Sequence, residues 1–164
     1  MRIPTTARVG DPSNLFTGNV PRTVIGLART PTGFALLVTV ADGAYPYAML
    51  VLTDAGGRKT SAGLKLAGTV AASGIAVKGS EIGVLAVRRE GDAFESKLTT
   101  EFRAFDLAGA PLGAWVCMEP ARSIDSRSLG GGLVAEDNGY AAIFRAADGS
   151  ASLARFDHVG TGAP

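Results

Sequence analysis

Three apolar runs, Phe34–Val40, Ile82–Arg88 and Tyr140–Ala146, set the frame of this chain. Each is continuous or nearly so, the pattern of a strand buried on both faces. Shorter runs precede them, Val24–Ala28, Gly74–Val77 and Gly132–Ala135, set off by the turns Arg29–Thr32, Lys78–Glu81 and Glu136–Asn138. After each long run comes a hairpin signal, Asp42-Gly43, Gly91-Asp92 or Asp148-Gly149. Gly and Asp tolerate the positive φ that such turns require. A third set of strands is predicted over Tyr47–Thr53, Leu98–Phe105 and Ala151–Phe156, and a fourth at about Ser61–Leu66 and Gly113–Met118. No window of a dozen residues carries a clean 3.6-residue apolar stripe with caps, and Gly interrupts most candidates. The fold class expected is all-β.

The third strands end alike, in Leu52-Thr53-Asp54-Ala55-Gly56-Gly57, Phe105-Asp106-Leu107-Ala108-Gly109 and Phe156-Asp157-His158-Val159-Gly160. Asp54, Asp106 and Asp157 stand at intervals of 52 and 51 residues, and a fixed period of that size marks repeated supersecondary units. In each turn the Asp carboxylate is placed to accept backbone N–H groups while a Gly takes the left-handed position. One domain over residues 1–164 is expected, with units of about 21–67, 68–119 and 120–164. The last unit lacks a fourth strand. Residues 14–20 precede the first strand as a fourth strand would, and Val20-Pro21-Arg22-Thr23 resembles Glu119-Pro120-Ala121-Arg122-Ser123 in the equivalent place. A closing strand at 14–20 lets one end of a chain complete a unit begun by the other.

Repeats of this length, four strands each, resemble the blades of a β-propeller, and the likeness covers about residues 14–162. The texture is similar to bacterial propeller repeats whose third strand runs into an Asp-x-x-Gly turn. The tryptophan-aspartate pair of WD40 repeats and the paired glycines of kelch repeats are missing. The turns resemble the Asp-box of sialidase propellers, but the Gly is displaced and no Trp follows. The resemblance implies a fold rather than an activity. A closed ring usually has four to eight blades. Three blades therefore imply two copies closing a six-bladed ring, a piece of a longer propeller, or an open stack. Unpaired strand edges favour the homodimer. A β-sandwich carbohydrate-binding domain is the competing all-β fold, and three equal periods argue against it.

Composition narrows the partners. The 46% apolar and 19% charged shares are those of a folded chain, and the Gly residues are spread along it as tight turns demand. Net charge is +1 with both signs interspersed, which gives a nucleic acid no basic stripe to bind. No apolar run approaches a membrane span. Met1–Thr6 lacks the apolar core of a signal peptide, so a cytoplasmic location is expected, or a secreted or surface one if a leader has been removed.

Candidate chemistry is sparse. Cys117 is the only cysteine and sits in the apolar run Ala114–Met118, where a small buried hydrophobe is expected. A calcium site needs six or more oxygens, and each Asp turn offers one carboxylate, so no metal or other cofactor is expected. His158 reads as an exposed turn residue. Gly130-Gly131-Gly132 has no Lys-Ser/Thr and no helix after it, so it reads as a place of close packing rather than a phosphate loop. Trp115 is expected between sheets and Phe94 in an exposed hairpin. Glu119, Asp125, Glu136 and Asp137 offer acidic residues that a glycosidase would have to pair across a bond.

The longest connection between units, Glu119–Ser128, is the candidate binding segment, because loops on a rigid scaffold concentrate binding residues. In a propeller it shares one face with the second-to-third-strand hairpins. That groups Arg122, Asp125 and Arg127 with Arg22, and arginine forks suit carboxylates, phosphates or polar protein surfaces. Arg22 and Arg122 read as matching repeat positions. The function expected is a noncatalytic scaffold that binds a protein or glycan partner. The alternative is a propeller-type glycoside hydrolase or lyase with acidic and arginine residues at the axis.

Overall fold

The computed structural model describes residues 16, 20–43, 46–90, 97–121, 131–145 and 150–156. Among them are eleven strands and no helix, arranged as three antiparallel meanders. Sheet 1 holds β1 (Arg22–Arg29), β2 (Gly33–Val40), β3 (Tyr47–Asp54) and β4 (Leu64–Lys65). Sheet 2 holds β5 (Thr69–Lys78), β6 (Glu81–Glu90), β7 (Lys97–Asp106) and β8 (Val116–Ala121). Sheet 3 holds β9 (Gly131–Glu136), β10 (Gly139–Arg145) and β11 (Ala151–Phe156). The all-β expectation holds, and the described residues form no closed ring.

The fourth strands differ from expectation. β4 is only two residues long, and β8 starts three residues later than expected. Thr53 bridges Lys59 and Leu50 pairs with Leu64, so five steps on one side face three on the other. Phe105 with Pro111 and Phe102 with Val116 repeat the mismatch. The two excess residues cannot enter the ladder and delay the strand.

The sheets lie face on face. β5 crosses sheet 1 obliquely, one strand for every three residues. Thr69 Oγ1 accepts the Ala48 N–H on β3, Ala72 N–H donates to Thr39 Oγ1 on β2, and Ile75 meets Gly26 on β1. β9 lies in the same way on β5 and β6. Two cores result. Between sheets 1 and 2 are Leu37, Leu50, Leu52 and Leu66 against Ile82, Val84 and Phe105. Between sheets 2 and 3 are Leu85 and Phe102 against Leu133, Tyr140, Phe144 and Phe156. Phe102 contacts the Tyr140 and Phe156 rings at 5.1 and 4.9 Å between centroids. Alternation on β2 explains the sharing: Ala35 and Leu37 face sheet 2, while Leu36, Val38 and Val40 face the other way.

The sheets repeat in register. Each first hairpin is a two-residue turn, Pro31-Thr32, Gly79-Ser80 or Asp137-Asn138. β1 is bulged between Val24 and Gly26, and β5 between Ala72 and Gly74. Gly26 pairs with Leu37, Gly74 with Leu85, and Gly132 with Ile143, so these glycines are equivalent. The first strands also run the same way, because Ser73 lies near Gly131 and Gly74 near Leu133. Ala72 likewise approaches Thr39, which pairs with Thr23, while Ile75 approaches Gly26.

Of the closing strand expected at 14–20, Phe16 and Val20 are described and the rest lie outside the described residues. Both are outside any strand and pack on the outer face of sheet 1 with Leu36, Val38 and Val51. They hold the place that Leu66 takes before β5 and Met118 takes before β9, each in the core in front of the strand that follows.

Candidate functional site

An antiparallel meander puts the connections between sheets and the second-to-third-strand hairpins at one end of each sheet, and the Asp turns at the other. Arg22 opens β1 at the first of these ends. Its Nη1 donates to the Val20 carbonyl at 3.1 Å, and its guanidinium stands 5.1 Å from the Phe16 ring centroid. It therefore ties the segment before β1 to the sheet. Arg122, Asp125 and Arg127 lie outside the described residues, as do Phe94, Asp157, His158 and Gly130. Arg22 and Arg122 do not match when counted to the strand that follows. Arg22 stands four residues before Gly26 and Arg122 ten before Gly132, because the connection between sheets 2 and 3 is long.

The opposite end is built by the aspartates. Asp54 N–H donates to Arg58 O at 2.9 Å and Gly57 N–H to Asp54 O at 3.0 Å, with Gly57 at φ 79°. Asp106 repeats the geometry with Ala110 and with Gly109 at φ 87°. This is a three-residue hairpin whose left-handed position takes Gly because a residue with a Cβ is strained at that positive φ. The Asp54 carboxylate accepts from Arg58 N–H at 2.9 Å. The Asp106 carboxylate accepts from Ala108 and Ala110 N–H at 2.9 and 2.8 Å. Both carboxylates are engaged in their own turns.

A polar group that sequence reading missed lies at the connection end of sheet 2. Glu101 is buried in β7, where Arg88 Nη1 meets its Oε2 at 2.7 Å and Thr99 Oγ1 donates to its Oε1 at 2.7 Å. The Arg88 guanidinium also stands 5.5 Å from the Trp115 ring centroid, and Arg103 stands 5.7 Å from it. Gly68, at φ 74°, lets the chain pass, since a methyl there would lie 2.9 Å from Arg88 Nη2. A buried carboxylate saturated by an arginine and a hydroxyl is a fixed charge pair that holds two strands. Its sequence signal was weak: one Glu and one Arg, each inside an apolar strand, on neighbouring strands.

Trp115 packs against the core between sheets 1 and 2, edge-on to Phe105 at 6.3 Å, with both guanidinium groups over its ring. It is a packing residue rather than a sugar platform. Cys117 is exposed, contrary to expectation, because it alternates on β8 with half-buried Val116 and Met118. Gly131 is crowded by the Ile143 carbonyl and Leu85, whereas a methyl on Gly132 would meet nothing within 4 Å. Glu136 pairs with Arg155 at 3.1 Å and lines an open depression with Asp137 and Asn138.

No family model matches the chain, and neither a curated protein nor a solved structure does.

Proposed function

We propose that the chain is a noncatalytic binding scaffold of the β-propeller kind, three blades to a chain and six in a homodimer. Its protein or glycan partner binds at the end that carries the connections between sheets. The observation that carries this reading is the common direction of β1, β5 and β9, which gathers the connections and Arg22 at one end. Rigid sheets displaying variable loops at one edge are a general design for binding. The buried carboxylate at that end supports it too, since Arg88 and Thr99 hold Glu101 between two strands.

Arg122, Asp125 and Arg127 belong to the connection that supplies the binding groups, with Arg22 fixing the neighbouring segment. Anionic groups on the partner, a uronic acid or an acidic protein surface, fit arginine forks best. An array of acidic and neutral glycans, with parallel binding to an acidic peptide library, tests this. The expected result is binding that falls about tenfold or more in Arg122→Ala/Arg127→Ala and weakens with salt. Binding left unchanged by that variant, or turnover of a bound glycan, would sink the proposal.

A further inference from the structure

We infer that the outer face of sheet 3 is the seat for sheet 1 of a second copy of this chain, joined head to tail with Leu27 of one copy over Gly132 of the other. The inference rests on the six-blade reading above and gives it a contact. It starts from a joint that the chain makes twice within itself. In the first, Ile75 of β5 fills the space beside Gly26, and a methyl on Gly26 would lie 2.7 Å from Ile75 Cγ2. In the second, Leu133 of β9 fills the space beside Gly74, and a methyl there would lie 2.8 Å from the Leu133 backbone N. Leu27, Ile75 and Leu133 each follow the equivalent glycine by one residue, so every sheet carries one knob and one hole.

The two terminal members of this series are unfilled. The hole beside Gly132 is open, with nothing within 4 Å. The knob Leu27 is 61% exposed, whereas Leu133 is buried. The row around the hole repeats as well. Gly26 pairs with Leu37 and Leu37 with Leu50; Gly74 pairs with Leu85 and Leu85 with Phe102; Gly132 pairs with Ile143 and Ile143 with Leu153. The first two rows are sealed by the next sheet. In the third, Ile143 and Leu153 are 57% and 56% exposed.

The surface left open on sheet 3 is thus the surface that the fold has twice covered with a first strand, and β1 presents the matching residues. Val24, in the place of buried Ala72, stands 53% exposed beside Leu27. Phe16 and Val20 cover the β2–β3 part of the sheet 1 face and leave the β1 row clear. A joint between unlike faces is heterologous, so it closes into a ring if the rotation permits and otherwise propagates.

The test is site-directed cross-linking of the full chain in a Cys117→Ser background. One chain carries Leu27→Cys and another Gly132→Cys. Mixed and oxidised, the two are expected to form a cross-linked pair that neither forms alone. A chain carrying both substitutions should give a closed two-chain product on a nonreducing gel. Light scattering of the unmodified chain should give about twice 16.7 kDa, and Gly132→Val should weaken the dimer at least tenfold. A ladder of higher products supports the head-to-tail seat and overturns the two-copy ring. A Gly132→Cys chain linked to itself, or no mixed product from chains monomeric at high concentration, overturns the seat. Glycan binding through Arg122 and Arg127, measured on the same samples, stands or falls separately.

Discussion

Sheets 2 and 3 carry the same cross-strand row in the same register and meet opposite surroundings. In sheet 2, Leu85 and Phe102 are sealed; in sheet 3, Ile143 and Leu153 face out. Composition does not separate them, since both rows are apolar around a glycine. Place in the stack does. Sheet 2 is flanked on both sides and can hold a buried charge pair, while sheet 3 is flanked on one side and holds its pair, Arg155–Glu136, in solvent. A side chain's worth to this fold is therefore set by whether a neighbouring sheet covers its face.

The largest contrast should come from the two ion pairs described above, one in each sheet. Glu101→Ala leaves the Arg88 charge without its partner in a partly buried place, at a cost of about 3–5 kcal/mol. Glu136→Ala removes an exposed pair and should cost less than about 0.5 kcal/mol. Urea unfolding of both variants, at concentrations where the chain is monomeric, measures the gap. Equal losses would mean that flanking does not govern the energetics. Next come the apolar rows. Leu85→Ala opens a cavity between sheets 2 and 3 and should cost about 2–5 kcal/mol. Ile143→Ala, at the same register position, should stay within about 0.5 kcal/mol in the monomer, as surface substitutions do. The glycines give a third contrast. Gly74→Val drives a side chain against the Leu133 backbone, which cannot step aside, and should cost about 2–3 kcal/mol. Gly132→Val meets open space, so its thermal midpoint as a monomer should not fall.

Much of the architecture was legible because it is local. Apolar runs, short turns and Asp-x-x-Gly hairpins lie within a dozen residues of their partners, so the first three strands of each sheet could be placed. Joints between sheets were not legible. Gly26, Gly74 and Gly132 are separated by 48 and 58 residues, unequal because the connection between sheets 2 and 3 is long, and nothing local marks them as equivalent. Arg22 and Arg122 look matched because Val20-Pro21-Arg22-Thr23 and Glu119-Pro120-Ala121-Arg122-Ser123 are alike locally, and the unequal spacing goes unseen at that range. Arg88 and Glu101 lie on opposite sides of the hairpin loop of sheet 2, and only the β6–β7 register brings them together. Cys117 depended on the start of β8, which the two excess residues after Pro111 had shifted.

The Asp turns sharpen the comparison between sheets 1 and 2. Asp106 accepts two backbone N–H groups and Asp54 one, although their hairpins are otherwise alike. Asp106→Ala should cost about 1 kcal/mol, by analogy with side-chain caps, and Asp54→Ala about half as much. Thermal unfolding of the two variants orders them, and a larger loss at Asp54 would break the link between bond count and stability.

The effect that is silent at neutral pH is a pH dependence at the joint of sheets 2 and 3. Tyr140 is buried there, its hydroxyl donating to the Glu81 carbonyl at a long 3.4 Å. Burial holds its proton well above the usual tyrosine range, and the nearby Glu81 carboxylate pushes the same way. The unfolded chain loses that proton near pH 10, whereas the folded chain keeps it. Below that pH both states are protonated and the group contributes no slope. Above it the unfolded state binds fewer protons, so stability falls by about 1.4 kcal/mol for each further pH unit. Tyr140→Phe removes this term while losing only one weak hydrogen bond, so at neutral pH it should cost under about 1 kcal/mol. Its stability should then approach or pass that of the unsubstituted chain at about pH 11. Parallel alkaline profiles for the two chains would mean that the joint admits solvent to Tyr140, and that the seal between sheets 2 and 3 is looser than the buried ring indicates.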